Sequence, residues 1–421
     1  MEIYDKRIWM NKTIDLLENN IDQIDWYWLS MNPNAIHLLE KELKDNPNSE
    51  KINWSQLSLN LNAIPILEKE LKDNPHSLKI NWCCLSENPN AIPILEKELK
   101  NNPKSEKIHW VYLSMNPNAI HLLEKGLEDE KGLEDNVNVN KVGWYWLSRN
   151  PNASPILLKE LKDNPNTKKI NWYWVSTNRN AIHLVEKELK DNPNSEKIMW
   201  DFLSENPNAI HILEKELNVN PNSQKINWYY LSLNVNAIHL LEKELENNAN
   251  SLNVSWQCLS RNENAIPILE KELKNNPNSK KIHWYNLSSN ENAIPIFEKE
   301  LENNPNSEKI CWNTLVRNRN AIPVFEKELD NNPNSLKINW NFLSEHPNAI
   351  HLLEKKLKDD PTGINWHALS ANEGRYELNY ELIKKRMNII REDLMKAVYH
   401  PIRLEYYLNV FDYDIFDEIY V

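Results

Sequence analysis

One stretch, repeated along most of the chain, decides what this sequence can fold into. A typical copy, residues 52–79, reads INWSQLSLNLNAIPILEKELKDNPHSLK. The Trp near the start of each copy marks thirteen units, at Trp26, Trp54, Trp82, Trp110, Trp144, Trp172, Trp200, Trp228, Trp256, Trp284, Trp312, Trp340 and Trp366. Ten of the twelve intervals equal that copy in length, whereas the one after Trp110 is longer and the one after Trp340 is shorter. A repeat of this length is typical of solenoids, in which each unit packs against its neighbours.

Each unit carries the signals of two helices. A short first helix begins at the Trp, since residues such as Asn53 or Ser255 just before it can cap the free N–H groups of a first turn. A longer second helix is predicted to begin after the Asn eight residues beyond the Trp, with Asn62 interpreted as its N-cap. Pro65 then lies in the first turn, where no N–H is needed. The sequence therefore predicts an all-α, right-handed α-solenoid with a path somewhat over 100 Å, at roughly 8–10 Å per layer.

The ends and one insertion depart from the pattern. Residues 1–23 are interpreted as a degenerate N-terminal cap, residues 24–372 as the thirteen-unit solenoid, and residues 373–421 as a C-terminal helical cap with an acidic aromatic tail. The tail is either a cover for the last unit or a docking element. The six residues EKGLED occur twice in tandem, at 124–129 and 130–135, and are expected to lengthen one second helix by less than two turns.

Composition and motifs favour a protein without catalysis or cofactor. The net charge of −12 opposes binding to nucleic acid or anionic lipid. Residues 1–12 lack the apolar centre of a signal peptide, no apolar run is long enough for a membrane helix, and free cysteines are typical of a reducing compartment. No phosphate loop or nucleophile motif occurs. Six His recur at one position, but neighbouring helices lie too far apart for them to share a metal, so they are interpreted as solvated first-turn residues.

The variable positions carry the functional signal. The residues one and two places after the Trp change from unit to unit, and twelve of these 26 residues are aromatic. Two interpretations remain open, because the rings could seal the seam between first helices or could form a partly exposed strip that binds a partner. The candidate binding residues are Tyr27, Trp28, Tyr112, Tyr145, Trp146, Tyr173, Trp174, Phe202, Tyr229 and Tyr230.

The repeat resembles one that is found in giant viruses. Residues 200–217, WDFLSENPNAIHILEKEL, show it intact, and the pattern covers about residues 24–372. It is similar to the Trp-led helical repeat proteins of giant nucleocytoplasmic large DNA viruses and, more distantly, to leucine-rich-variant repeats. The resemblance implies a solenoid in a host cytoplasm or virion and brings no catalytic residues.

Three functions are compatible with these features. The first is a non-enzymatic scaffold that binds a host or virion protein through the variable residues. The second is binding of single-stranded nucleic acid by base stacking, which the acidic balance opposes. The third is a structural virion component without a specific ligand. The sequence leaves the partner and the oligomeric state open.

Overall fold

A computed structural model describes residues 9–131, 142–360, 362–374, 376–378 and 384. The predicted α-solenoid of regularly repeated two-helix units is confirmed. The units are numbered 1 to 13 by their Trp. The first helix of each unit is called helix A and the second helix B.

Helix A is short and begins at the marker Trp in every unit. The thirteen A helices are Trp26–Met31, Trp54–Leu59, Trp82–Glu87, Trp110–Leu113, Trp144–Arg149, Trp172–Thr177, Trp200–Glu205, Trp228–Leu231, Trp256–Arg261, Trp284–Ser288, Trp312–Leu315, Trp340–Leu343 and Trp366–Ala371. The predicted capping is confirmed, since Asp25 accepts from the N–H groups of Tyr27 and Trp28, and Ser255 accepts from that of Cys258. The first-turn N–H groups of any α-helix lack partners within the helix, and these side chains supply them.

Helix B is longer. The B helices of units 1 to 12 are Ile36–Asp45, Ile64–Asp73, Ile92–Asn101, Ile120–Lys131, Ser154–Asp163, Ile182–Asp191, Ile210–Val219, Ile238–Asn247, Ile266–Asn275, Ile294–Asn303, Ile322–Asn331 and Ile350–Asp359. Short 3₁₀ turns precede five of them, at Pro89–Ala91, Arg179–Ala181, Pro207–Ala209, Glu263–Ala265 and Glu291–Ala293, and a further one, Ile21–Gln23, precedes unit 1. Pro65 is the second residue of its helix, in the first turn as predicted.

The predicted N-cap of helix B is wrong. Helix B of unit 2 begins at Ile64, and the preceding Ala63 makes no side-chain cap. The Asn62 side chain instead donates to the carbonyl oxygen of Pro33 in the preceding unit, at 2.9 Å. The side chain that accepts at this turn is that of Asn60, from the Asn62 N–H at 3.0 Å. Sequence spacing could not separate the two Asn roles, because both side chains also bond to carbonyl groups of the preceding unit, contacts that the spacing within one unit does not reveal.

The core lies between the A and B layers. Three positions are fully buried in nearly every unit, and unit 2 shows them at Leu57, Ala63 and Leu67. The Ile two residues before the Trp is buried as well. The Trp itself is half-buried in most units, so it covers the edge of the core and does not fill its centre. The apolar stripe predicted for helix B is confirmed.

Asparagine and serine side chains join each unit to the one before it. Asn60 is 1% exposed and donates to the carbonyl oxygens of Ser30 and Asn32, both at 3.0 Å. The hydroxyl of Ser30 accepts from the Asn53 N–H at 3.0 Å. Equivalent bonds recur from unit to unit, so buried carbonyl groups at the helix ends find partners. We call the row of Asn side chains, six residues after each Trp, the asparagine ladder.

In most units a lysine lies over the marker Trp and pairs with a glutamate of helix B, an arrangement that we call the lysine clamp. In unit 2, Lys79 lies over the Trp54 ring at 5.0 Å from its centroid and pairs with Glu70 at 3.6 Å. The hydroxyl of Ser77 donates to the same carboxylate at 2.6 Å. The lysine therefore pairs with a glutamate nine residues before it, and not with one four residues away along helix B. The loop carries the lysine back to the Trp, where a cation–π contact adds to the ion pair.

The chain closes on itself. The helix Lys12–Glu18 packs against helix B of unit 12 and helix A of unit 13. Its Thr13, Ile14 and Leu17 occupy the places of Ala91, Ile92 and Leu95 in unit 3 and are buried in the same way or more fully. It therefore supplies the B helix that unit 13 lacks among the described residues. Strand β1 (Trp9–Asn11) pairs antiparallel with strand β2 (Tyr376–Leu378) beside it.

The ladders between units continue across the closure. Helix A of unit 1 packs on helix A of unit 13. Asn32 donates to the carbonyl oxygens of Ser370 and Asn372 at 3.1 and 3.0 Å, and Asn34 donates to that of Glu373 at 2.9 Å. Unit 1 therefore follows unit 13 as any unit follows its predecessor, and the solenoid is a closed ring. Dividing a full turn among thirteen units gives a rotation of about 28° from one unit to the next, and such small rotations set the curvature of a solenoid.

The A helices form the inner layer of this ring. Successive A helices pack more closely on one another than most successive B helices do. In a closed ring the more tightly spaced layer is the one with the smaller radius. With thirteen A helices roughly 8–10 Å apart, the described residues bound an opening of roughly 20–30 Å after side chains are subtracted.

The insertion and the tail lie partly outside the described residues. Helix B of unit 4 reaches Lys131 and has twelve residues where the other B helices have ten. It is therefore longer, as predicted for the duplication. Within it, Gly126 lies so close to the Trp110 ring that an added Cβ would be 2.4 Å from it. The rest of the duplication and nearly all of the predicted C-terminal cap and tail fall outside the description.

His346 stands in the asparagine ladder of unit 12. It is 3% exposed, its Nε2 lies 3.1 Å from the carbonyl oxygen of Asn318, and its Nδ1 accepts from the Asn348 N–H at 3.1 Å. Because Nδ1 accepts a hydrogen bond and Nε2 faces a carbonyl oxygen, the ring is neutral and carries its proton on Nε2. Burial, the largest cause, lowers the pKa of His346 below its ordinary value, because desolvation disfavours the imidazolium.

His346→Asn should make the protein less sensitive to acid. Below about pH 6.5 the unfolded histidine takes up a proton that the folded one does not, so stability falls as the pH drops. Urea unfolding at pH 7.5 and 5.5 would measure this loss, which should be smaller in His346→Asn than in the wild type. The control His351→Asn removes an exposed histidine 2.8 Å from Glu326 and should not reduce the loss. An equal loss in His346→Asn and wild type would contradict the assignment.

Candidate protein-binding surface

The aromatic candidates lie on the side of helix A that faces away from the core. At about 100° per residue, the first and second residues after the Trp point away from the face shared by the Trp and Leu. Tyr27, Trp28, Tyr112, Tyr145, Tyr173 and Tyr229 are exposed, and Trp146, Trp174, Phe202 and Tyr230 are half-buried. Because helix A is the inner layer, all ten side chains lie on the side of the ring that faces the opening.

Seven of the ten form one continuous chain of ring contacts, which we call the aromatic arc. The arc consists of Tyr145, Trp146, Tyr173, Trp174, Phe202, Tyr229 and Tyr230, in units 5 to 8. Successive ring centroids are 4.3 to 5.8 Å apart, and most pairs meet edge to face. This geometry is favourable for aromatic rings, and Tyr145, Tyr173 and Tyr229 remain exposed on the side that faces the opening.

The other three candidates lie outside the arc. Tyr27 and Trp28 meet edge to face at 5.2 Å, and the Tyr27 hydroxyl accepts from Gln56 at 2.9 Å. Tyr112 packs on His109 at 4.6 Å. The structure therefore brings together the candidates of units 5 to 8 and separates those of units 1 and 4 from them.

Charged residues beside the arc were not among the sequence candidates. The Arg149 guanidinium lies over the Trp174 ring at 4.8 Å from its centroid. Asp201 and Glu205, one turn apart on helix A of unit 7, are both exposed. Asp201 accepts from the Asn227 side chain at 2.9 Å, and no cation among the described residues lies within 4 Å of either carboxylate. Their one-turn spacing was visible in the sequence, but the arc beside them was not.

Two polar groups in the arc have an unusual environment. The buried indole N–H of Trp174 has no hydrogen-bond partner among the residues that the structure describes. A side-chain hydrogen bond with Cys258 raises the pKa of Tyr229 above its ordinary value. The hydroxyls of Tyr145 and Tyr173 form no hydrogen bond with the described part of the chain and are available as donors.

The recurring histidines lie on the opposite, outer layer. His121, His211, His239 and His351 each reach a glutamate of the preceding unit, at 2.6 to 2.8 Å. His183 instead contacts the Ser154 hydroxyl at 2.8 Å. They tie units together along the outside of the ring. Over the described residues, no group of three or more His, Cys, Asp or Glu side chains could hold a metal ion.

The function of this surface has to be inferred from its own geometry. No helix in the described ranges combines the length and the apolar character needed to span a bilayer. Comparison of the chain with protein families, with curated proteins and with solved structures finds no match.

Proposed function

We propose that this protein is a non-enzymatic, ring-shaped scaffold that binds a protein partner on its inner face. The aromatic arc is the main contact surface. If the chain comes from a giant virus, as its repeat implies, the partner is a host or virion protein. The observation that carries the proposal is the continuous row of exposed and half-exposed aromatic side chains over units 5 to 8.

The fold itself does not need aromatic residues at these positions. Unit 2 carries Ser55 and Gln56 there, and unit 11 carries Asn313 and Thr314, yet both form the same A helix on the same core. A unit can therefore adopt this architecture without aromatic side chains at these positions. Exposed Tyr and Trp side chains that a fold does not require are typical of protein interfaces, where they contribute much of the binding energy.

The arc is better suited to protein than to single-stranded nucleic acid. Base stacking needs free ring faces and a row of cations along the phosphates. The rings of the arc mostly pack against one another edge to face, Arg149 covers the face of Trp174, and Asp201 and Glu205 place negative charge beside them. The net charge of −12 acts in the same direction.

Replacing the exposed tyrosines of the arc should abolish partner capture without unfolding the ring. The variant carries Tyr145→Ser, Tyr173→Ser and Tyr229→Ser, and losing several interface tyrosines should weaken binding by at least about tenfold. The measurement is capture of proteins from nuclease-treated host lysate, followed by mass spectrometry, with circular dichroism and gel filtration to show that the fold is intact.

Tyr285→Ser is the matched control. Tyr285 holds the equivalent position in unit 10, is 59% exposed and lies outside the arc, so its loss should leave capture unchanged. The same proteins captured by wild type and triple variant would contradict the assignment of the arc. Capture that nuclease abolishes would instead favour nucleic acid as the ligand.

A further inference from the structure

We propose that unit 8 carries a receptor site for a lysine side chain of another protein. The site is the position of the lysine clamp, where unit 8 has Asn253 instead of the lysine. It holds the ammonium group of the ligand between the Trp228 ring, the Glu244 carboxylate and the carbonyl oxygen of Pro221. These groups do not belong to the aromatic arc, so the inference is independent of the function proposed above.

The other units show which group this position takes. In nine units, over the residues that the structure describes, the loop lysine lies over the marker Trp, with 4.9 to 5.6 Å between Nζ and the ring centroid. The same Nζ lies 3.0 to 3.6 Å from Oε2 of the helix B glutamate. In four of these units it also donates to a carbonyl oxygen of the preceding loop, at 3.1 to 3.4 Å. An ammonium group suits all three partners, because it carries three N–H donors and is attracted to the face of an indole ring.

The loop of unit 8 has the same local bonding as the loops that carry the lysine. The Asn253 N–H donates to the Ser251 hydroxyl at 3.2 Å, and that hydroxyl donates to Oε1 of Glu244. Unit 2 has the same two bonds through Lys79 and Ser77. The Trp, the glutamate and the carbonyl group of unit 8 are therefore placed as they are around an ammonium group elsewhere in the ring.

Asn253 engages only one oxygen of the glutamate. Its amide donates to Oε1 of Glu244 at 2.9 Å, the oxygen that also accepts from Ser251. Oε2, which pairs with lysine in the nine clamped units, makes no hydrogen bond with the described part of the chain, and no cation there lies within 4 Å of it. Asn253 is also neutral, so a cation from another molecule would restore the charge pairing that the clamped units have.

The site is accessible to another protein. The clamp lysines keep 30 to 55% of their side-chain area exposed, so the position of the ammonium group is open to solvent. Asn253 is exposed, and the adjacent Leu252 is completely exposed. Leu252 therefore offers an apolar contact, beside the site, to the chain that supplies the lysine.

The hydrogen-bond acceptors favour a primary ammonium group over a methylated one. Trimethyllysine keeps the charge and the contact with the indole ring, but it has no N–H for Glu244 or for the Pro221 carbonyl oxygen. Hydrogen bonds between charged groups are among the stronger ones in proteins. Trimethylation of the ligand lysine should therefore weaken binding by at least about tenfold.

The test uses the full-length protein labelled with 5-fluorotryptophan and the peptide acetyl-Gly-Lys-Gly-amide. The fluorine resonance of Trp228 is assigned by its loss in Trp228→Phe. This resonance should shift on titration and saturate at roughly millimolar peptide, as expected for one small group on an open site. The peptide with trimethyllysine should bind at least about tenfold more weakly, and the resonance of the clamped Trp284 should not respond.

Asn253→Lys gives unit 8 its own clamp and should abolish the response of Trp228. Asn250→Lys is the matched control, because it adds the same charge to the same loop at a position where unit 3 carries Lys104. It should keep the response. Circular dichroism should show the same helix content in both variants.

Lys281→Asn should create a second site in unit 9. It removes the lysine that lies over Trp256 and pairs with Glu272, and it leaves the loop with the residue that unit 8 has. The Trp256 resonance should then respond to the lysine peptide as that of Trp228 does.

An unchanged Trp228 resonance in the presence of the lysine peptide would overturn the inference. So would an equal response in Asn253→Lys, or equal binding of the lysine and trimethyllysine peptides, because neither is compatible with an ammonium group bonded to Glu244. Capture of a partner by the aromatic arc is a separate measurement, and neither result decides the other.

Discussion

Replacing Ile14 and Leu17 with alanine should open the ring. Both side chains are buried, at 2% and 0% exposure, in the interface between the N-terminal helix and units 12 and 13. Large-to-small changes at such positions cost about 2–5 kcal/mol each. The N-terminal helix has only seven residues, and its neighbourhood lacks the lysine clamp, since Gln23 takes the place of the lysine and Asn20 that of the glutamate. The N-terminal helix therefore adds less to this junction than a ten-residue B helix with its clamp adds to the others.

Small-angle X-ray scattering should show the opening as a larger radius of gyration with unchanged helix content by circular dichroism. The matched control is Ile92→Ala with Leu95→Ala, at the equivalent positions of unit 3. This pair should lower the unfolding temperature but leave the ring closed, because the chain is covalently continuous on both sides of unit 3. A closed ring in the Ile14 and Leu17 variant, at the wild-type radius, would contradict the role given to the N-terminal helix.

Asn60→Asp should destabilise the protein by about 3–5 kcal/mol, because it places a charge in a buried site and removes the donor of two hydrogen bonds. The Asn60 amide donates to two carbonyl oxygens of unit 1, both at 3.0 Å. A carboxylate in its place would face these oxygens as a second acceptor, away from water. Urea unfolding followed by Trp fluorescence at pH 7.5 measures the change, which should centre on the junction of units 1 and 2.

Asn62→Asp is the control for this substitution. Asn62 also donates to a carbonyl oxygen of unit 1, at 2.9 Å, but it is exposed, so water can solvate the new carboxylate. The same chemical change should therefore cost no more than about 1 kcal/mol. If both substitutions lowered the free energy of unfolding by a similar amount, the burial of Asn60 would not be the reason for the larger effect expected there.

Local order could be predicted from the sequence because it depends on neighbours in the chain. The Trp, the Leu three residues later and the Ala–Ile–Leu stripe fix the two helices and their buried faces in each unit. The cap of helix A could be predicted for the same reason, since Asp25 bonds to Tyr27 and Trp28 two and three residues away. The candidate residues could be singled out because variable aromatic positions stand out against a constant repeat.

What the sequence could not determine depends on contacts between units and between the chain ends. Three features depend on how neighbouring units are placed relative to one another. They are the role of Asn62, the lysine clamp and the joining of seven aromatic rings into one arc. The ring itself depends on a small rotation between successive units, which the packing of helices sets and the period of the repeat does not. The sequence by itself determined a helical repeat with an aromatic variable position. The tertiary structure alone decided that residues 12–18 complete the thirteenth unit and that the variable positions face a closed interior, because a solenoid closes only when small rotations add up to a full turn.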